Sequence, residues 1–202
     1  MSELSTKEKI IRVSTKFFAQ KGYDGTSLNS IAAEVGMKKP SLLYHYPNKE
    51  ALREAVLEDL LERWQARLPE VLAAATSGNR RFEELFKEVV EYFSDDPHRS
   101  ALIIREMVGR PKETRERVGK ALSPWMVVLV QAIEQGKAAG RVRPDVDPQA
   151  YLTEMVVLIV GTFVAADLST AVFPGESVEE RISRIIAETM RIGRISLFIQ
   201  GE

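Results

Sequence analysis

Hydrogen-bond donors crowd one short stretch of the amino-acid sequence, and no acidic side chain lies among them. Lysine can donate to guanine acceptors or to phosphate oxygens, and serine to either. Tyrosine and histidine can donate to phosphate while their rings pack on a sugar or a thymine methyl. The donors are Lys38, Lys39, Ser41, Tyr44 and His45. This set predicts a surface that binds double-stranded DNA, although for Lys38 simple exposure to solvent is an equal alternative to a phosphate contact.

Two short predicted helices, over about 27–35 and 38–45, carry these donors and are joined by a tight turn at Gly36 and Met37. This is the geometry of a helix-turn-helix, in which the first helix braces against the DNA backbone and the second lies in the major groove. Lys49 begins the next predicted helix, where its ammonium group and the helix N-terminus both favour a phosphate. The side chains expected to hold the pair together are Ile31, Ala32, Val35 and Leu42, packed on Phe17 and Phe18.

The distribution of charge supports a DNA-binding N-terminus. The chain of 202 residues has a net charge of −1, which argues against indiscriminate coating of nucleic acid. Residues 1–50 hold eight Lys and Arg against five Asp and Glu, whereas residues 51–202 hold 20 against 24. A basic first quarter on an acidic remainder suggests that one end of the molecule meets phosphate. Chance asymmetry on a solvated surface is the alternative.

Several kinds of chemistry are disfavoured by composition. The chain has no cysteine, which excludes disulfides, thiolate metal sites and cysteine nucleophiles. Its two histidines, His45 and His98, lie in no recognisable catalytic motif, and the sequence has no glycine-rich phosphate loop. We therefore expect no enzyme, no cofactor and no metal site, with Asp95 and Asp96 forming an exposed loop cluster.

Apolar residues recur at helical spacing almost throughout, which predicts an all-α fold. After a first helix that ends at Lys21 and Gly22, a long helix begins near Asn48 and is bent or interrupted by Pro69. Further helices are predicted over about 82–93, 98–108, 112–139, 148–171 and 178–199. A domain boundary near residue 48 is expected, because the charge balance changes there and the long helix begins.

No membrane partner is expected. The N-terminus is polar and charged, unlike a secretory signal. The most apolar stretch, 151–166, contains Glu154 and falls short of the ~20 residues that span a bilayer as a helix. We interpret it as a buried helix of a cytoplasmic protein.

Four runs of residues, in this order and with these gaps, resemble the DNA-binding domain of the TetR family of repressors over about a quarter of the chain. The runs are 17–23 (FFAQKGY), 26–32 (TSLNSIA), 35–42 (VGMKKPSL) and 44–52 (YHYPNKEAL). The stretch 136–148 (GKAAGRVRPDVDP) is similar to the connector before the last two helices of that family.

This resemblance implies roles for the N-terminal residues. Ser27, Tyr44 and Lys49 would mainly hold phosphates, while the positions of base-reading side chains are those of Asn29, Lys39, Ser41 and His45. Leu43 departs from the pattern, because the family commonly has a tyrosine there that touches DNA. The resemblance also implies a homodimer on a palindromic operator, a helix-turn-helix domain over 1–48, and a ligand-binding and dimerisation domain over 49–202. A small-molecule effector would release the DNA.

In the family the last two helices form a dimeric four-helix bundle. In this sequence helix 148–171 is apolar nearly all round, so more of its surface needs burial than one protomer offers. The residues predicted to contact a partner are Leu152, Val156, Val160, Val164, Ile182, Ile185 and Ile186. An intramolecular core is the alternative for these side chains.

A ligand pocket between the long helices is expected by analogy, since such pockets are mostly apolar with a few polar groups. The candidate lining residues are Phe93, Leu102, Met107, Trp125, Met126, Met155 and Phe163. They suit a hydrophobic or acyl-type effector, but the same residues also make an ordinary core. Arg105 is a candidate for pairing with a ligand carboxylate or phosphate. A surface ion pair, or a partner such as Glu106 or Glu154, is the alternative.

A different class of function remains open at this point. The chain is alternatively a helical interaction or scaffold protein whose N-terminal domain binds a protein partner, or a protein that binds DNA without regulating transcription. Strong salt dependence of DNA binding would count against a protein partner, because counterion release accompanies phosphate contact.

Overall fold

The computed structural model describes residues 4–74 and 78–199, and within them the chain forms helices and no β-strand. The predicted all-α fold is confirmed. The helices are α1 (Thr6–Lys21), α2 (Leu28–Val35), α3 (Lys39–His45), α4 (Lys49–Ala74), α5 (Gly78–Asp95), α6 (His98–Gly109), α7 (Pro111–Ala138), α8 (Pro148–Val172) and α9 (Val178–Leu197).

Local signals explain where the N-terminal helices begin and end. The Ser27 hydroxyl accepts a hydrogen bond from the Ser30 amide at 3.1 Å and so caps α2. Gly36 ends α2 with φ of 82°, a left-handed conformation that favours glycine. Thr26 precedes Ser27 and is also a candidate cap by residue type, but its hydroxyl donates to the carbonyls of Phe17 and Gly22 instead. The caps therefore set the short spacing between α1, α2 and α3.

The long helices continue through their internal prolines. Pro69 lies inside α4, which continues to Ala74, so this proline does not interrupt the helix. Pro124 likewise lies inside α7. The polar run 76–79 (TSGN) also predicts a break in the sequence; residues 76–77 lie outside the described part of the chain, and 78–79 belong to α5.

The N-terminal core crosses the boundary expected near residue 48. Ile10, Ile31 and Leu42, from the first three helices, are buried together with Leu52 of α4 and Leu102 of α6. A second cluster joins α5 and α8, and a third joins α7, α8 and α9. Helix α6 therefore contributes to the same core as the helix-turn-helix.

Helix α8 was predicted over about 148–171 and spans Pro148–Val172. It spans 25 residues, its most apolar window has a mean hydropathy of 2.1, and by length and composition alone it is able to cross a bilayer. The expectation that this stretch is too short was therefore wrong. The expectation of burial also failed, because only 28% of that window is buried within the protomer. The exposed apolar side chains of α8 include Val156, Val157, Leu158, Val164, Leu168 and Val172.

Candidate nucleic-acid interface

Helix α3 presents its predicted donors on one short exposed surface. Lys39 and Ser41 are exposed, and Tyr44 is 88% exposed, with its ring edge-on to the half-buried His45 at 5.6 Å. Lys38 precedes α3 as its N-cap residue and is also exposed. Within the described part of the chain, no acidic side chain pairs with Lys38 or Lys39. An exposed aromatic ring among exposed cations is suited to contact with the phosphates and sugars of DNA.

The turn between α2 and α3 is held rigidly. The Gly36 amide donates to Ala33 at 3.1 Å, and the Met37 amide donates to Ala32 at 2.9 Å. Below the turn, Ile31 and Leu42 are fully buried in the N-terminal core. The predicted helix-turn-helix is confirmed by this geometry. The hydrogen bonds and the buried side chains together position the backbone of α3 against α2.

Two predicted contacts lie on α2 and its cap. Asn29 is exposed on the first turn of α2. The Ser27 hydroxyl also lies 2.7 Å from the Ser30 hydroxyl, so it is engaged in the cap while remaining exposed. Both residues lie at the end of α2 that follows the turn after α1.

Lys49 has a second role that the sequence did not indicate. Its ammonium nitrogen donates to the carbonyls of Tyr23 and Thr26, at 2.8 and 3.0 Å, and lies 4.2 Å from the centroid of the Tyr23 ring. Two of its three N–H groups are thus used to tie the turn before α2 to the start of α4. At most one N–H group therefore remains for the predicted phosphate contact.

A buried ionic cluster lies directly behind this tie. The Arg53 guanidinium, which is almost fully buried, donates to Glu106 from both Nε and Nη2 and to Glu50 at 2.8 Å. Burial lowers the pKa of Arg53, but its bonds to Glu106 and Glu50 outweigh this and raise the pKa. Burial likewise raises the pKa of Glu50, but hydrogen bonds from Tyr23 and Arg53 outweigh it, so that this pKa is lowered. Both groups are therefore charged at neutral pH.

Sequence reasoning missed this cluster, although a signal was present. Arg53 lies between Leu52 and Val56 on the buried face of α4. A charged residue at a core position requires a partner, because an isolated buried charge is unstable. The position of Arg53 in the apolar pattern therefore signalled a buried ion pair, but not which residue supplies the carboxylate.

The candidate pocket residues do not converge on one place. Phe93 and Phe163 lie 5.9 Å apart between ring centroids, in the cluster that joins α5 and α8. Leu102 belongs to the N-terminal core, and Met155 to the cluster of α7, α8 and α9. Met107 is 56% exposed. Trp125 and Met126 are half-buried on α7. The structure thus brings together only Phe93 and Phe163 of the proposed lining.

Arg105 contacts neither of the carboxylates considered for it. Its Nε donates to the Ala19 carbonyl at 2.7 Å, and its Nη2 donates to the Gln20 carbonyl at 3.2 Å. Glu106 is engaged by Arg53 instead, and Glu154 is exposed. An internal partner for Arg105 therefore exists, but it is the backbone of α1, which has no sequence signature.

The residues predicted to contact a partner chain fall into three groups by their exposure. Val156 and Val164 are exposed on α8. Leu152, Ile182, Ile185 and Ile186 are half-buried. Val160 is buried with Phe86 and Phe93 inside the protomer, which removes it from any face that a partner can reach. The exposed apolar side chains of α9 that the prediction missed are Ile192 and Ile195.

Two family models match this chain. Residues 10–56 match the bacterial regulatory proteins of the tetR family, and residues 78–179 match the tetracyclin repressor-like C-terminal domain. The HTH-type transcriptional regulator RutR of Escherichia coli (strain K12) is 32% identical over 199 residues, which cover 92% of this chain and 90% of RutR.

Other relatives show the same similarity. The HTH-type transcriptional repressor KstR2 of Mycolicibacterium smegmatis is 28% identical over 153 residues, which cover 71% of this chain and 70% of KstR2. The solved structure of the ketosteroid transcriptional regulator KstR2 of Mycobacterium tuberculosis has a TM-score of 0.71 at 16% identity and covers 98% of both chains. The likeness in fold therefore extends over the helix-turn-helix and the C-terminal helices alike.

Proposed function

Because this chain belongs to the TetR family of bacterial transcription regulators, which are not enzymes, we propose that it binds a palindromic operator as a homodimer and is released by a small-molecule effector. The observation that carries the proposal is the exposed, acid-free donor surface of α3. A repressing role is supported by the relative KstR2, whose name describes a repressor. A regulator of this kind acts in the cytoplasm, where its operator lies.

The DNA contacts divide into two kinds. Lys39, Ser41 and His45 on α3, with Asn29 on α2, are proposed to contact base edges in the major groove. Ser27, Tyr44 and Lys49, with Lys38 at the start of α3, are proposed to hold phosphates. Phosphate contacts fix the position of a protein on the duplex, whereas base contacts specify its sequence.

The homodimer is proposed to form through α8 and α9. Val156, Val164 and Leu168 of α8 are exposed, and so are Ile192 and Ile195 of α9. An apolar surface on two adjacent helices loses contact with water when a second copy covers it. Half-buried Leu152, Ile182, Ile185 and Ile186 would lie at the edge of that interface. A two-fold dimer would place two α3 helices ~34–36 Å apart, as successive major grooves require.

The effector is proposed to be hydrophobic and to enter beside Phe93 and Phe163. Their cluster consists of apolar side chains, among them Phe86, Ile159 and the half-buried Ile104. An apolar effector is in keeping with KstR2 of Mycobacterium tuberculosis, which has a similar fold and whose name describes a ketosteroid regulator. Leu102, Arg105, Met107, Trp125, Met126 and Met155 lie outside this cluster, and contact of any of them with a bound ligand stays a prediction.

The proposed mechanism is a shift between two orientations of the DNA-binding helices. A ligand that favours a different angle of α4 changes the distance between the two α3 helices of the dimer. A coupling of about 1–3 kcal/mol between the two sites changes operator affinity ~5–150-fold. An operator affinity that is unchanged by every compound bound to the C-terminal helices would contradict this mechanism.

Selection of bound sequences from a random DNA pool, followed by salt titration of the selected DNA, tests the function directly. A palindromic sequence with steeply salt-dependent binding is expected, because phosphate contacts release counterions. No enrichment by the folded, ligand-free protein would overturn the proposal. It would favour the alternative that the N-terminal helices bind a protein partner.

A further inference from the structure

Arg105 and Glu106 are consecutive residues of α6, and they bind two different helices of the DNA-binding unit. Arg105 donates to the backbone of α1 at Ala19 and Gln20. Glu106 accepts two hydrogen bonds from Arg53 of α4, from Nε at 3.2 Å and from Nη2. Successive residues of an α-helix point about 100° apart. A single turn of α6 therefore reaches both α1 and α4.

The contact with α1 is a helix cap supplied from outside the helix-turn-helix. Ala19 and Gln20 lie in the last turn of α1, which ends at Lys21. Carbonyl groups in the last turn of a helix lack partners within the helix and carry a partial negative charge, so a guanidinium suits them. A Cβ at position 22 would lie 3.2 Å from Nη1 of Arg105, and Gly22 has φ of 72°. Glycine at this position thus leaves room for the guanidinium.

The contact with α4 is buried. The Arg53 side chain is 3% exposed and the Glu106 side chain 11% exposed. Charge-assisted hydrogen bonds are strong and directional, and two of them hold the same pair of side chains. One turn earlier on α6, Leu102 is buried in the core of α1–α4. Polar and apolar contacts therefore hold α6 in one position relative to the DNA-binding helices.

The contact of α6 with α8 is different in kind. Ile103 and Ile104 pack against the cluster of Phe86, Phe93 and Ile159. Apolar contacts of this sort are non-directional, so they tolerate small shifts better than charge-assisted hydrogen bonds. Movement between the DNA-binding helices and α8 is therefore easier on this apolar side of α6.

We infer that Arg105 and Glu106 are positioning residues for DNA binding. They join α6 to α1 and α4 as one unit and so set the orientation of α3 relative to the C-terminal helices. This inference rests on the proposed function, since it concerns how its DNA-binding surface is oriented. In this inference the Arg105 side chain holds the C-terminal end of α1 against α6.

Arg99 provides a matched control on the same helix. Its guanidinium also donates to a backbone carbonyl, that of Tyr92, and lies 4.5 Å from the centroid of the Tyr92 ring. Its partner belongs to α5 and not to the DNA-binding helices. Arg99→Met and Arg105→Met therefore remove the same kind of contact from the same helix, with different targets.

The absence of native cysteine allows distances to be measured with two introduced labels. We would place nitroxides at Ala33→Cys on α2 and Gln131→Cys on α7, both exposed positions, in chains diluted with unlabelled protein. Double electron–electron resonance then gives the distribution of distances between the two nitroxides, and so between the DNA-binding unit and the C-terminal helices. Thermal unfolding and affinity for the selected operator are measured on the same variants.

We expect Arg105→Met to broaden the distance distribution and to weaken operator binding roughly fivefold or more, the lower range of coupling between sites. Glu106→Gln should also broaden the distance distribution. Arg99→Met should lower the melting temperature but leave the distribution unchanged. A wild-type distribution for Arg105→Met, or equal broadening by Arg99→Met, would overturn the inference.

Two further results keep this test decisive. If Arg105→Met does not fold, Arg105→Lys is measured, since lysine keeps the charge but lacks the forked donor geometry. Broadening is again expected, and its absence would contradict a positioning role. If the wild-type protein selects no operator, the proposed function fails. The distance measurement needs no DNA and still decides whether Arg105 and Glu106 orient α1–α3.

Discussion

The backbone of Gly136 and the side chain of Val142 pack so closely that position 136 has no room for a side chain. A Cβ at position 136 would lie 2.6 Å from Cγ2 of Val142. The Gly136 carbonyl also accepts hydrogen bonds from the amides of Arg141 and Val142. Val142 pairs in turn with Phe198 in an antiparallel bridge. This contact closes the connector between α7 and α8 onto the C-terminal end of α9.

Gly136→Ala should therefore destabilise the protein. Overpacking costs about 1–3 kcal/mol, and the helix propensity gained from alanine offsets roughly 0.5–1 kcal/mol of it. Urea unfolding at fixed protein concentration should show a lower midpoint. Gly119→Ala on the same helix is the control, because nothing lies within 4 Å of a Cβ there. It should stabilise α7 slightly, and equal effects of the two substitutions would contradict the steric explanation.

The proposed dimer predicts a change of oligomeric state. Val164→Glu places a charge on the exposed apolar face of α8, where a buried, unpaired carboxylate is unfavourable, and should give folded monomers. Sedimentation analysis measures the change. Val127→Glu is the matched control, since Val127 is also exposed but belongs to α7, which is not part of the proposed interface. A dimer that survives Val164→Glu would rule out this part of α8 as the interface.

The division of DNA contacts into two kinds predicts distinct binding phenotypes. His45→Ala and Lys39→Ala should alter the preference among operator sequences, by about 1–3 kcal/mol where a good base contact is lost. Binding of each variant to the selected and to random DNA, over a range of salt concentrations, provides the measurement. Equal losses for these two variants on both kinds of DNA would refute a role in base recognition.

Lys49→Met should weaken binding to all sequences. If Lys49 holds a phosphate with its remaining N–H group, the salt slope should fall by about one. Loss of its bonds to Tyr23 and Thr26 should also lower thermal stability, whatever its contact with DNA. An unchanged salt slope together with lower stability would assign Lys49 to the turn alone.

The lowered pKa of Glu50 predicts a pH-dependent contribution to stability. A carboxyl group with a lowered pKa stabilises the fold when it is ionised, and this contribution is lost as the pH falls through the lowered value. Wild type should therefore exceed Glu50→Gln in stability at neutral pH, and the difference should vanish in acid. Unfolding curves of both proteins across this range provide the test. A difference that persists at low pH would show that the charge of Glu50 is not responsible.

Much of the local structure was predictable from the sequence. Helix periodicity, the Ser27 cap and the glycines at 22 and 36 act within a few residues of the chain, so the helix-turn-helix and its donor surface could be located without coordinates. The exposure of Tyr44 could also be predicted from the sequence, because Tyr44 is not one of the positions in the apolar pattern of the helix pair. The bounds of most later helices agreed with the pattern to within a few residues.

The tertiary structure decided which groups meet across the chain. Lys49 binds the carbonyls of Tyr23 and Thr26, more than 20 residues earlier in the chain. Arg53 pairs with Glu106, and Arg105 binds the end of α1. Val160 and Val164 read alike in the apolar pattern, yet one is buried in the protomer and the other is exposed. Periodicity defines the faces of a helix but not what covers them. A backbone carbonyl also belongs to every residue type, so its partners depend on how the helices pack and not on local sequence.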